Sequence, residues 1–201
     1  NTLLMLNGIN PNSMHFNSTR INRIDATDVE QLTQGEFEGR RQIESVSEFV
    51  IKYLPGFENS YVSRTSSYLG VRDTRHIIGE YVLTAENVIE GKKFSDVVSR
   101  GYFPIDIHSY TGASGYDENG GSWIPLKDTY DIPFRSLIPK HIEGLILSGR
   151  TISGTSSAHG SYRTQGGVMG IGQASGVAAG LSSLEKIRPR DLDVKKLQEK
   201  L

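Results

Sequence analysis

An α+β fold is what the sequence predicts, and three patterns carry that expectation. Apolar residues recur at helical spacing between Val29 and Tyr53. Short β-rich runs, one of them cleanly alternating, occupy the middle of the chain. The last third returns to helix and holds ten of the 22 glycines. Length and charge set the frame around these patterns. At 201 residues the chain suits one domain, or one domain with part of a second. With 22 basic against 23 acidic side chains, a net charge of -1 creates no global field to draw nucleic acid or anionic lipid. No apolar run approaches the roughly 18 residues that a transmembrane helix requires. The absence of Cys excludes disulfides and thiolate chemistry and leaves the compartment open.

Asn1-Thr2-Leu3-Leu4 has neither an initiator Met nor the pattern of a signal peptide, so the chain is expected to be a piece of a longer protein. Met14–Ile21 mixes polar and β-favouring residues and reads as one strand or two short ones. Thr27-Asp28-Val29-Glu30 forms a capping box. Val29, Leu32, Ile43, Val46, Phe49, Val50 and Tyr53 then trace a helix that Pro55-Gly56 stops. Gly35 and Gly39 lie inside it and mark close packing or a break.

Tyr61-Val62 and Ile77–Leu83 read as strands. Thr84 and Ser95 cap two short helices, over 85–90 and 95–99, with Gly91 and Gly101 closing them. In Phe103–His108, Ile105 and Ile107 face one way while Asp106 and His108 face the other. Residues 111–122 are polar and Gly-rich, as a surface loop would be. Tyr130–Arg135 reads as an edge or turn segment. Leu145–Leu147 is a short strand candidate ending at Gly149-Arg150, a helix covers about 167–187, and a charged amphipathic tail closes the chain.

Chemistry concentrates between Leu145 and Leu184. The helix there sets small residues four apart in two rows, Gly166-Gly170-Ala174-Ala178 and Gly172-Gly176-Gly180. Such rows let backbone come close to a sheet, another helix or a flat ligand, at about 1 kcal/mol of helix propensity per glycine. The helix start at Gly166-Gly167 presents backbone N–H groups and a positive dipole end, with Arg163 just ahead, which together suit negative charge. Tight core packing explains the same glycines on spacing alone. Gly167-x-x-Gly170-x-Gly172 is not the dinucleotide fingerprint, because polar residues and not a strand precede it.

Three ordered motifs carry a family resemblance. Leu145–Ser153, Ala158–Arg163 and Met169–Ala179 together resemble the C-terminal signature of FAD-dependent oxidoreductases with the glutathione-reductase-like two-domain fold. Gly70–Thr84, Tyr102–His108 and Tyr130–Pro139 are similar to the same family, so the likeness runs from about Asn17 to Leu181. One departure stands out: no strand, Gly-x-Gly-x-x-Gly turn and helix for the ADP half of FAD occurs in the 201 residues. The resemblance therefore implies a C-terminal portion. Residues 1–140 would be a mixed-sheet α+β substrate domain, 141–187 the last strand and Gly-rich helix of a Rossmann-like FAD domain, and 188–201 the tail.

The resemblance also implies roles for individual positions. Gly149 and Arg150 would end the last strand against the cofactor, with Ser153 beyond them. Gly167, Met169 and Gly170 would open the helix facing the flavin's pyrimidine edge, where reduction places negative charge. His108, His159 and Arg163 are the catalytic candidates, Asp106 orienting His108 from the same strand face. Arg72 and Arg75 clamp a carboxylate or pair with Asp73 and Glu80, and Tyr81 packs with its hydroxyl satisfied. The expected parent is an FAD-dependent oxidoreductase moving a hydride between a small-molecule substrate and FAD, without metal, nucleic acid or membrane insertion. The piece alone would be inactive.

The same residues admit two rivals. An α+β binding module needs only the close-packed helix. A serine hydrolase would use Gly154-Thr155-Ser156-Ser157-Ala158 as a nucleophile elbow with His159 nearby, but that elbow needs a strand directly before it.

Overall fold

A computed structural model describes residues 3–107 and 122–201, which form two compact units. The first unit spans residues 3–74. It opens with an antiparallel pair, β1 (Met5–Asn7) and β2 (Met14–Phe16), that sets Leu6 opposite His15. One 25-residue helix, α1 (Val29–Tyr53), dominates the rest. Its cap is Asp28, one residue later than the predicted box, because Asp28 accepts from the Gln31 amide while the Thr27 hydroxyl is held by Asp25. Gly35 and Gly39 do not break the helix. A Cβ at Gly35 would lie 2.9 Å from both Ile24 and Leu69, so these glycines seat α1 on its neighbours. Leu54 ends α1, and Gly56 turns the chain with φ +89°.

The second unit comprises residues 75–107 and 122–201 and holds the principal core. The predicted strand Ile77–Leu83 is not a strand here. Its amides go to three different places: Glu80 to Ile138, Tyr81 to Arg135, and Leu83 to Ser153, leaving isolated bridges at Gly79 and Leu83. The short helix α2 (Ala85–Ile89) carries the expected Thr84 cap as a full capping box with Asn87, and Gly91 (φ +67°) comes after it. Tyr81 packs edge-on against Phe94 and donates its hydroxyl to Asn87 at 2.7 Å.

The helix expected over 95–99 is instead β3 (Val97–Gly101). Its partner is β6 (Tyr130–Pro133), an antiparallel neighbour about 30 residues away whose four residues are all buried. Just before β3, Asp96 receives the Arg135 side chain through Nε at 2.9 Å and Nη2 at 3.1 Å, and its carboxylate also accepts from the Arg135 amide at 3.2 Å. β4 (Ile105–Ile107) pairs with β5 (Ser122–Ile124) and buries Ile105 completely. The sheets among the described residues are thus antiparallel pairs rather than one mixed sheet, and the α+β class holds. A 3₁₀ turn over Phe134–Leu137 succeeds β6.

Leu145–Leu147 forms no strand either. It runs extended with Leu147 donating to the Leu137 carbonyl, then enters a 3₁₀ turn at Gly149–Thr151. Helix α3 (Ser156–Tyr162), which periodicity does not reveal, begins on a Thr155 cap. The Gly-rich helix is α4 (Gln165–Glu185), ended by Lys186 in the left-handed conformation. The tail helix α5 (Val194–Gln198) buries Leu197. Arg190 anchors this end through Glu80 and Glu143, both at 2.8 Å, so Glu80 pairs there and not with Arg75. No helix among the described residues is long and apolar enough to cross a membrane.

Candidate functional site

The site grows from the way α4 is seated. One row of small residues faces inward: Ala174 and Ala178 are completely buried, and a Cβ on Gly170 would collide with Ser99 of β3. Gly167 is equally constrained, since its Cβ would sit 2.8 Å from the Tyr162 carbonyl. These glycines have a packing reason for being glycine. The second row does not. A Cβ on Gly172, Gly176 or Gly180 would meet nothing within 4 Å, and the same is true of Gly166 at the helix start.

That second row borders an open cleft of about 760 Å³. Its opposite wall is the extended segment through Gly144, Ile146 and Ser148, and Lys186 and Arg188 stand at one end. Ser175 crosses the floor and donates to the Ser148 hydroxyl at 2.7 Å. Ser182, also on the lining, is 6% exposed, and its hydroxyl has no hydrogen-bond partner. Burying a hydroxyl without a partner is unfavourable by about 1–3 kcal/mol, which marks this wall as one that prefers a neighbour. The outer face continues to Met169 and Leu184, 73% and 82% exposed, and carries no charge between them.

The start of α4 is also distinctive. Each of the other four α-helices among the described residues has its N-cap side chain on a first-turn amide. Thr164 instead turns its hydroxyl back to the Ser161 carbonyl at 3.3 Å, leaving the first-turn amides of α4 uncapped by its side chain. The Gly149–Thr151 turn packs against α4, and Gly149 takes φ +67° with no atom near its Cβ position. Arg150 is exposed beside it. Ser153 is 1% exposed and its hydroxyl, too, has no partner.

Behind α4, the last turn of α3 is clamped to β4. Gly160 lets the Asp106 backbone approach to where a Cβ would stand 3.2 Å from its carbonyl. Ser161 donates to the Phe103 carbonyl and lies 2.7 Å from the Tyr130 hydroxyl. Burial pushes the Tyr130 phenol up to about 12, with the Ser161 contact opposing that rise. Arg163 reaches across through Nη2 to the Asp106 carbonyl at 3.2 Å and its carboxylate at 3.4 Å.

Two of the expected catalytic residues lie one helical turn apart, the Arg163 amide donating to the His159 carbonyl. Arg163 stands directly before the cap of α4 and is held by Asp106. His159, a residue of α3, is buried, with its ring edge-to-face on His76 at 4.8 Å and on Tyr162 at 5.3 Å. Sequence reasoning misses His76, because two histidines so far apart in the chain give no spacing signal. His108 lies outside the described residues, so its expected pairing with Asp106 does too. Ser156 and Ser157 start α3 after Thr155 with no strand leading into them, unlike a nucleophile elbow.

The uncapped start of α4 suits an anionic group, while the unpartnered Ser182 hydroxyl lies near the other end of the same helix. No curated protein and no solved structure matches the chain. A family profile does, over residues 2–201: FAD dependent oxidoreductase. That match spans nearly the whole chain, and the chain belongs to the FAD-dependent oxidoreductase family.

Proposed function

We propose that this chain is the C-terminal portion of a glutathione-reductase-like flavoprotein that moves a hydride between a small-molecule substrate and FAD. The isoalloxazine ring supplies the hydride-accepting chemistry; the chain's own residues bind and orient. Gly149, Arg150 and Ser153 hold the cofactor from the turn beside α4, and Gly167, Met169 and Gly170 present the helix start to it. Arg163 supplies a fixed positive charge there, and His159 with His108 serves the substrate side. Residues 141–187 act as the flavin-facing element, and the unit that grips the ADP half comes from sequence outside these 201 residues. By itself the chain is inactive.

The outer row of α4 carries this reading. Three interior helix glycines weaken the helix by about 1 kcal/mol each, and a Cβ on any of them would meet nothing within 4 Å among the described residues. Close approach by a cofactor or by the unit that grips it supplies the missing reason. The Ser182 hydroxyl, buried and unpartnered on the same wall, points the same way.

The experiment is the visible absorbance of the protein expressed together with the coding sequence that precedes Asn1, as wild type and as Arg150→Ala. A yellow wild type that releases FAD on denaturation, with weaker retention in the variant, is the expected result. A folded, colourless protein that takes up no added FAD would sink the proposal and leave an α+β binding module in its place.

A further inference from the structure

We infer that Leu145–Ser148 is an open strand edge, and that an extended, uncharged strand adds to it over the outer row of α4. This rests on the proposed function, which brings the ADP-gripping unit from sequence outside these 201 residues and makes the strand part of that unit. Leu147 donates its amide to the Leu137 carbonyl, which fixes one side of the segment. Ser148 is extended, with φ -141° and ψ 153°. Extended backbone turns successive amides toward opposite edges, so Ile146 and Ser148 aim theirs away from Leu137. Among the described residues neither of these amides meets an acceptor, and no donor reaches the Ile146 carbonyl.

Composition argues against an edge left bare. Edges that stay open in solution carry Lys, Pro or a bulge that discourages pairing. From Gly144 to Gly149 there is neither a charge nor a Pro, and Leu145 is 45% exposed. A row of apolar backbone in this state pairs with whatever strand reaches it first.

The ground beside the edge suits such a strand. Ile146 and Ser148 line the open cleft together with Gly172 and Gly176 of α4, whose missing side chains leave room for backbone to come close. The helix carries no charge from Gln165 to Leu184, so an uncharged segment can cover it without stripping water from an ion. Ser182 lies on the same lining, 6% exposed, with a hydroxyl that an arriving backbone group can satisfy. Main-chain pairing along Leu145–Ser148 would give the affinity, and the space over the glycines would select the side chains.

The measurement is amide hydrogen exchange at Ile146, Leu147 and Ser148, with bound FAD read from visible absorbance in the same samples. It compares the 201-residue chain with the protein expressed together with the coding sequence that precedes Asn1, the latter as wild type and as Gly176→Leu. In the 201-residue chain Leu147 alone should be protected, and its protection reports that the segment is folded. In the longer protein Ile146 and Ser148 should slow by about 100-fold or more. Gly176→Leu should restore their fast exchange and leave Leu147 slow. Fast exchange at Ile146 and Ser148 in a longer protein that is yellow and keeps Leu147 slow would overturn the strand and leave the flavin reading intact. Protection that vanishes when FAD is stripped would assign the edge to the cofactor and overturn it too. Protection that grows with concentration in the 201-residue chain would give the edge to a second copy, against the inference. Slow amides in a colourless longer protein would uphold strand addition and sink the flavin reading.

Discussion

The two long faces of α4 are built from the same kinds of residue and meet opposite surroundings. On the inner face Ala174 and Ala178 are fully buried in the core, and a Cβ on Gly170 would displace the Ser99 hydroxyl of β3. On the outer face Gly172, Gly176 and Gly180 are small with nothing nearby to require it. A glycine row is therefore informative only once its neighbours are known. Filled space makes it a packing device; empty space leaves it without a packing reason. The proposed function supplies a reason for the outer row, and the difference can be broken by substitutions that treat the two rows alike.

The largest expected effect lies on the inner face. Ala174→Leu and Ala178→Leu force a larger side chain into closed positions and should destabilise the 201-residue chain by about 1–3 kcal/mol in urea unfolding. Gly167→Ala should also destabilise it, by about 1 kcal/mol, because the Tyr162 carbonyl that its Cβ would strike is backbone and cannot rotate aside. The outer face should answer with the opposite sign. Gly172→Ala, Gly176→Ala and Gly180→Ala should each stabilise the chain by up to about 1 kcal/mol through helix propensity. Outer-row substitutions that destabilise as much as inner ones would erase the distinction.

A subtler contrast concerns pH. The outer face carries no titrating group between Met169 and Leu184, so it contributes none of the pH dependence of stability. Tyr130 in the core has its pKa raised by burial to about 12. Below the ordinary phenol value of 10.0 both states keep the proton and the stabilisation is complete. As pH rises from there through about 12, the unfolded chain ionises first and stability falls. Tyr130→Phe should flatten that alkaline loss. At the acid end, burial tends to raise the Asp96 pKa, but hydrogen bonds from Arg135 and its charge outweigh it and hold the carboxyl below 3.8. Stability from that pair is present above 3.8 and is lost as pH falls through the lowered value, a loss that Asp96→Asn should remove. This effect should be the smallest, because Arg135 is half exposed.

Local chemistry is legible in the sequence, and partnership is not. The Thr84 box, the long helix to Tyr53, the Gly-rich helix and the burial of Ile105 each depend on a few adjacent residues. Ser95–Ser99 reads locally as helix, yet Val97–Gly101 folds as strand, because its pairing with Tyr130–Pro133 is set by a distant segment. Ile77–Leu83 has a strand's composition, yet its amides are divided between Ile138, Arg135 and Ser153. The same limit applies to the site. Spacing reveals two small-residue rows in α4 but not which one is covered, since glycine and alanine look alike from either side. The contact between Asp106 and Arg163, 57 residues on, gives no such signal in the sequence.

The central claim is that the outer face of α4 is kept open for the flavin or for the unit that grips it. Gly176→Leu tests it most directly, measured as FAD retained per chain after gel filtration of the protein expressed with its preceding coding sequence. The account predicts that this variant folds and loses most of its flavin, while the same substitution leaves the 201-residue chain at least as stable as wild type. Wild-type flavin content in Gly176→Leu would contradict it.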